Sequence, residues 1–196
     1  MTFSSECKMP ALSGIDSPLM NRLIVQLLIG EKGISRNVSL YRRNFIRYID
    51  QAIKYYDYAR EACLAAAANP QERLGFSLEF TNNIEVCISA IRRLYRLLDR
   101  INSETKDSPL FPRELRRLLK AQSQSMIDIR DTAEHLDDRI REGEVAVGSP
   151  IMLTINKTED GIVVADYEIK FKDLALVLEK MNEIGQYVLT IKKVGN

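Results

Sequence analysis

Apolar side chains recur along much of this chain at alternating steps of four and three. Phe45, Ile49, Ala52, Tyr56, Ala59, Cys63 and Ala66 make one such run. Phe80, Ile84, Cys87, Ile91, Leu94, Leu98 and Ile101 make a second. Leu115, Leu119, Gln122, Met126, Ile129, Ala133, Leu136 and Ile140 make a third, with Gln122 its one polar member. This spacing keeps each set on one stripe of an α-helix, so the pattern predicts three long amphipathic helices.

The breaks between the runs agree. Asn69-Pro70 stops the first long helix, because the residue before a proline is pushed out of the helical region. Asn102-Ser103 and the stretch from Pro109 to Pro112 separate the second from the third. The third starts near Pro112 and ends at Gly143 and Gly148-Ser149-Pro150. A shorter helix precedes all three. It opens at Ser17-Pro18, with Ser17 as cap and Pro18 in the first turn, and runs to Ile29 before Gly30–Gly33. Long helices joined by short breaks pack antiparallel at about 20°. The expected fold is mainly α: an antiparallel four-helix bundle over residues 17–148, preceded by an irregular arm over 1–16.

From residue 149 the period changes from about 3.6 to two. Ile151, Leu153 and Ile155 alternate with Met152, Thr154 and Asn156. Beyond Thr158-Glu159-Asp160-Gly161, the residues Val163, Ala165, Tyr167, Ile169 and Phe171 alternate with Val164, Asp166, Glu168 and Lys170. Two alternating runs around a Gly-containing turn predict a β-hairpin. Leu174, Val177, Leu178, Met181, Ile184, Val188 and Ile191 then mark a last amphipathic helix, capped near Asp173. Residues 149–196 thus read as a hairpin-plus-helix appendage whose apolar face needs a partner, since an isolated hairpin is marginal in water.

Composition narrows the chemistry. The net charge of +1 argues against a polyelectrolyte binder and sends any nucleic-acid contact to local patches. One histidine, three widely spaced cysteines and no CxxC pair argue against a zinc site, and no other metal or cofactor motif is present. Cys63 and Cys87 lie on the seams, where cysteine acts as a small hydrophobe. With no signal-peptide pattern and no run of about 20 apolar residues, the expectation is a reduced, cytoplasmic protein away from membranes.

The single histidine, His135, follows Arg130 and Asp131 on the fourth helix, in Asp128-Ile129-Arg130-Asp131-Thr132-Ala133-Glu134-His135. An arginine, a polar residue directly after it, and a histidine five positions after the arginine, late in a helical bundle, resemble the signature of the HEPN superfamily. The resemblance covers about residues 17–143. It implies a metal-independent endoribonuclease, acting as a homodimer in which two motifs face one another, of the kind that serves phage-defence and toxin–antitoxin systems. In that chemistry the RNA 2′-hydroxyl attacks the neighbouring phosphorus. His135 would shuttle a proton, Arg130 would hold the charge gathering on the phosphate, and Asp131 would orient the imidazole. On a regular helix Arg130 lies about 140° around the axis from His135. The arginine must therefore curl, or meet the histidine of a second subunit.

Two further features bear on RNA. Seven acids between Asp128 and Glu144, against three arginines, repel phosphate at range. Arginine gathers instead at one end of the bundle: Arg92, Arg96 and Arg100 on the third helix, Arg113, Arg116 and Arg117 on the fourth. These are the candidate RNA-binding residues, or else a solvated face paired with neighbouring acids. Arg42, Arg43 and Arg47 form a smaller cluster. The competing functional readings are a non-catalytic module that binds a protein partner such as an antitoxin, and a sensor holding a small ligand beside Gln122.

Overall fold

The computed structural model describes residues 7–15, 17–29, 35–104 and 112–190. Among these the chain is mainly helical with one small antiparallel sheet. The expected ends at Gly30–Gly33, the break at residues 109–111 and the placement of Ile191 lie outside the described residues.

Helix α1 spans Leu19–Ile29, α2 Arg36–Ala68 and α3 Arg73–Glu104. The α2–α3 hairpin is the spine of the fold, and its seams are the ones the apolar spacing predicts. Phe45, Ile49, Ala52, Tyr56, Ala59, Cys63 and Ala66 of α2 are buried, and so are Phe80, Ile84, Cys87, Ile91, Leu94, Leu98 and Ile101 of α3. Asn102-Ser103 does not break α3, which continues to Glu104. Within that helix Ser103 donates its hydroxyl back to the Arg100 carbonyl at 2.8 Å.

The start of α1 is capped from another helix. Asp50 of α2 accepts the Leu19 and Met20 amides at 2.9 and 2.7 Å, where Ser17 was the expected cap. Two of the amides that a helix start leaves without partners are thereby satisfied. The arm before α1 is irregular but fastened to α2. Arg60 donates to the Met9 carbonyl at 3.0 Å, Tyr56 donates to Pro10 at 2.8 Å, and the Met9 side chain is buried.

Helix α4 spans Arg113–Glu134, and the chain then turns at His135 into a short helix α5, Leu136–Arg141. One continuous helix was expected here. His135 has φ −110° and ψ 23°, outside the helical well, so the seam runs no further than Leu136 and Ile140 is exposed. A contact from α5 to the sheet accompanies the turn: the Arg139 guanidinium lies 5.5 Å over the Tyr167 ring.

The sheet has three strands, β1 Thr154–Ile155, β2 Gly161–Val164 and β3 Tyr167–Lys170, in the order β1-β2-β3. The expected second strand of the hairpin is divided in two by a turn at Ala165, whose φ is +47° and whose amide donates to the Pro150 carbonyl at 2.8 Å. That turn reverses the chain, so Ile162 and Val164, not Val163, face the core of β2. Helix α6, Phe171–Leu189, follows β3 with no side-chain cap; Asp173 sits in its first turn.

Helix α6 packs on α1, α2 and α4, and the sheet packs on α4 and α6. Its buried face and the inward residues of the sheet join one continuous hydrophobic core with α2, α3 and α4. Gly185 allows the close approach, because a Cβ there would run into the tips of Leu19 and Ile49. Arg42 is buried, donating to Gln26 of α1 and, at 3.0 Å, to the Leu189 carbonyl at the end of α6. A guanidinium at a helix C-terminus meets the negative end of the helix dipole. Arg42 is thus a tie between three helices, not part of an exposed basic cluster.

Candidate functional site

Arg130, Asp131, Glu134 and His135 form one cluster at the end of α4. Arg130 is held within its own chain. Its Nη1 bonds Asp131 Oδ1 at 3.2 Å and makes a closer ion pair with Glu134 Oε2, one helical turn on. A second guanidinium, Arg92 of α3, has its Nε 3.8 Å from the same Asp131 oxygen. Asp131 therefore bridges two arginines across the α3–α4 contact. Its carboxylate faces these cations and does not orient the His135 ring.

His135 lies on the outer side. Its side chain is 61% exposed, and Nε2 stands 4.0 Å from Glu134 Oε2. The break in the helix matters here. On an unbroken helix the two ends of the motif point well apart; with His135 outside the helical well, Arg130 Nη1 and His135 Nε2 both face one carboxylate oxygen. Glu134 counted in the sequence only as one of seven acids. Its position four residues after Arg130 was the available sign that it would claim the guanidinium.

A cavity of about 170 Å³ opens between α3 and α4 beside this cluster. Arg130 and Glu134 form one wall, and Glu85 and Ser89 of α3 face them. Glu85 is exposed as a residue, and the partial burial of its carboxyl pushes that group above its ordinary pKa. Neither Glu85 nor Ser89 was singled out from the sequence, since two lone polar residues on a helix carry no motif.

The candidate RNA-binding arginines divide. Arg92 belongs to the cluster around Asp131. Arg96, Arg100, Arg113 and Arg117 are exposed and Arg116 is half-buried. The side chains of these five make no ion pair among the described residues. Tyr56 is core, and Tyr48 stacks between Arg47 and Arg93, so neither is laid out as a free base-stacking platform. Gln122 is half-buried on α4 and lines neither this cavity nor the larger one beside α1 and α2.

Among the described residues no helix is long and apolar enough to cross a membrane, and no group of three or more His, Cys, Asp or Glu is arranged to hold a metal ion. Compared with protein-family models, curated proteins and solved structures, the chain has no match.

Proposed function

We propose that this chain is a metal-independent endoribonuclease of the HEPN type, working as a homodimer. One observation carries the reading: Arg130 and His135 converge on a single anionic oxygen, Glu134 Oε2. A carboxylate oxygen paired with the guanidinium, with the imidazole 4.0 Å away, marks the place a phosphate oxygen would take between the same two groups.

The chemistry follows from that placement. A phosphodiester entering the cluster displaces the half-exposed Glu134 carboxylate from Arg130. Arg130 then stabilises the charge that builds on the phosphoryl oxygens. His135, whose side chain is exposed, takes the proton of the attacking 2′-hydroxyl or delivers one to the 5′-oxygen that leaves. The products are a 2′,3′-cyclic phosphate and a 5′-hydroxyl. One imidazole does one of these proton transfers well; a second copy of the motif across a dimer supplies the other. Asp131, tied to Arg92 and Arg130, positions the arginine. The exposed Arg96, Arg100, Arg113 and Arg117 would carry the strand beyond the cut.

Purified protein incubated with RNA in EDTA tests this by the ends it leaves. Cyclic-phosphate ends are expected; intact RNA at all protein concentrations counts against the reading.

A second reading is favoured by the same pairing seen differently. Arg130 already has two carboxylate partners within its chain. A non-catalytic module that binds a protein partner, such as an antitoxin, needs no more of it than that.

A further inference from the structure

We propose that the cavity between α3 and α4 is a base-binding pocket that selects guanine, placing the cut beside a guanosine. The inference rests on the ribonuclease reading and adds the base that such an enzyme would choose.

The pocket adjoins the cluster, because Arg130 and Glu134 are shared by both. A nucleotide whose phosphate sits on Arg130 therefore has its base within reach of the cavity. The volume of about 170 Å³ is below the 300–1,000 Å³ or so of cavities that take drug-sized ligands, and suits one planar ring system. Its walls are mixed in the way a base requires. Ile88, Ala133 and the buried Leu153 offer apolar surface to the ring faces. Glu85 and Ser89 supply polar groups for a ring edge.

Those two residues decide which base. They stand four apart on α3, so their side chains are neighbours on one face. An ionised carboxylate only accepts hydrogen bonds, and can accept two side by side. The Watson–Crick edge of guanine carries two adjacent donors, N1–H and the N2 amino group, followed by the O6 acceptor. Glu85 takes the two donors and the Ser89 hydroxyl donates to O6. Cytosine and uracil put the O2 acceptor where guanine has its N2 donor, and adenine puts the N1 acceptor where guanine has N1–H and only C2–H beyond it, so none of the three offers Glu85 two adjacent donors. Glu85 has no ion-pair partner among the described residues, so no cation competes for it. Partial desolvation strengthens a bond to its charged form. Reading a base by its Watson–Crick edge is the usual way proteins distinguish unpaired RNA.

The test titrates the full-length protein with the 3′-monophosphates of guanosine, adenosine, cytidine and uridine, by calorimetry. The guanosine nucleotide is expected to bind at least about tenfold more tightly than the others, as a pair of charge-assisted bonds implies. Glu85→Gln should abolish the preference while keeping the common affinity, and Arg130→Ala should weaken all four alike. Equal binding of the four, no binding of any, or a preference that survives Glu85→Gln overturns the proposal. Cleavage is scored separately. Uncut RNA with the guanosine preference intact sinks the nuclease reading and leaves the pocket standing. Cut RNA with no preference for guanosine does the reverse.

Discussion

Arg92 of α3 and Asp131 of α4 lie 3.8 Å apart, Nε to Oδ1, and this contact sets the layout of the candidate site. The Asp131 oxygen also accepts from Arg130 at 3.2 Å. One carboxylate thus anchors the motif's arginine to the neighbouring helix. The imidazole is left to the turn between α4 and α5, where Glu134 is the one acidic group recorded beside it among the described residues.

Glu134 is therefore a competitor for any incoming phosphate. Glu134→Gln removes the negative charge and keeps the size. An exposed pair of this kind is worth about 0.5–1 kcal/mol, so RNA cleavage should rise roughly two- to fivefold. Initial rates at subsaturating RNA measure this. A fall in rate would mean that Glu134 takes part in the reaction and is not merely in its way.

The cap on α1 gives a prediction about stability. Asp50→Ala strands the Leu19 and Met20 amides and should cost about 1 kcal/mol, within the range of about 0.5–2 for lost caps. Asp50→Asn keeps an acceptor and should cost less. The pH dependence follows from burial, which raises the Asp50 carboxyl above its ordinary pKa against the pull of the two amides. The folded state then holds this proton more tightly than the unfolded one. Its contribution is fully present below the unfolded pKa and is lost as pH rises through the higher, folded value. Denaturant melts across that acidic window should show wild type losing stability relative to Asp50→Asn, which lacks this titration, as pH rises; a constant difference between the two would contradict it.

Gly161 tests the sheet. A Cβ at this position would lie on the Ile169 backbone carbonyl, in the register where Gly161 faces Lys170. Gly161→Ala should cost about 1–3 kcal/mol, the range for forced overpacking, because a strand must shift. The neighbouring turn has its own support, since Asn156 Oδ1 accepts the Asp160 and Gly161 amides at 3.1 and 3.2 Å. A thermal melt reads the loss, and an unchanged midpoint would show that the strand gives way freely.

The seams of α2 and α3 were legible residue by residue because their periodicity reflects a single requirement, burial of one stripe. The turns were not. Ala165 adopts a positive φ without the glycine or asparagine that advertises one, held by its bond to Pro150. His135 leaves the helix with no proline or glycine near it; the stacking of Arg139 on Tyr167, nearly thirty residues away in sequence, accompanies the change of direction. Both are tertiary contacts overriding local preference, and no spacing along the chain encodes them. The burial of Arg42 escaped for a similar reason: it depends on the end of α6 coming to rest beside α1 and α2. The Arg130–Asp131–His135 motif could be picked out from residue types alone. Glu134 could have been read as the partner four residues after Arg130, whereas Arg92 and the cavity residue Glu85 needed the α3–α4 packing before they had a role.

The central claim is that Arg130 and His135 together cut RNA without a metal. The most direct measurement incubates the wild-type protein and the Arg130→Ala/His135→Ala variant with single-stranded RNA in EDTA and maps the ends produced. His135 is exposed and Arg130 makes only half-exposed pairs, so the variant should keep its fold, as circular dichroism would show. The account predicts cyclic-phosphate ends from wild type and intact RNA from the folded variant. Equal cleavage by both, or none by wild type, would contradict it.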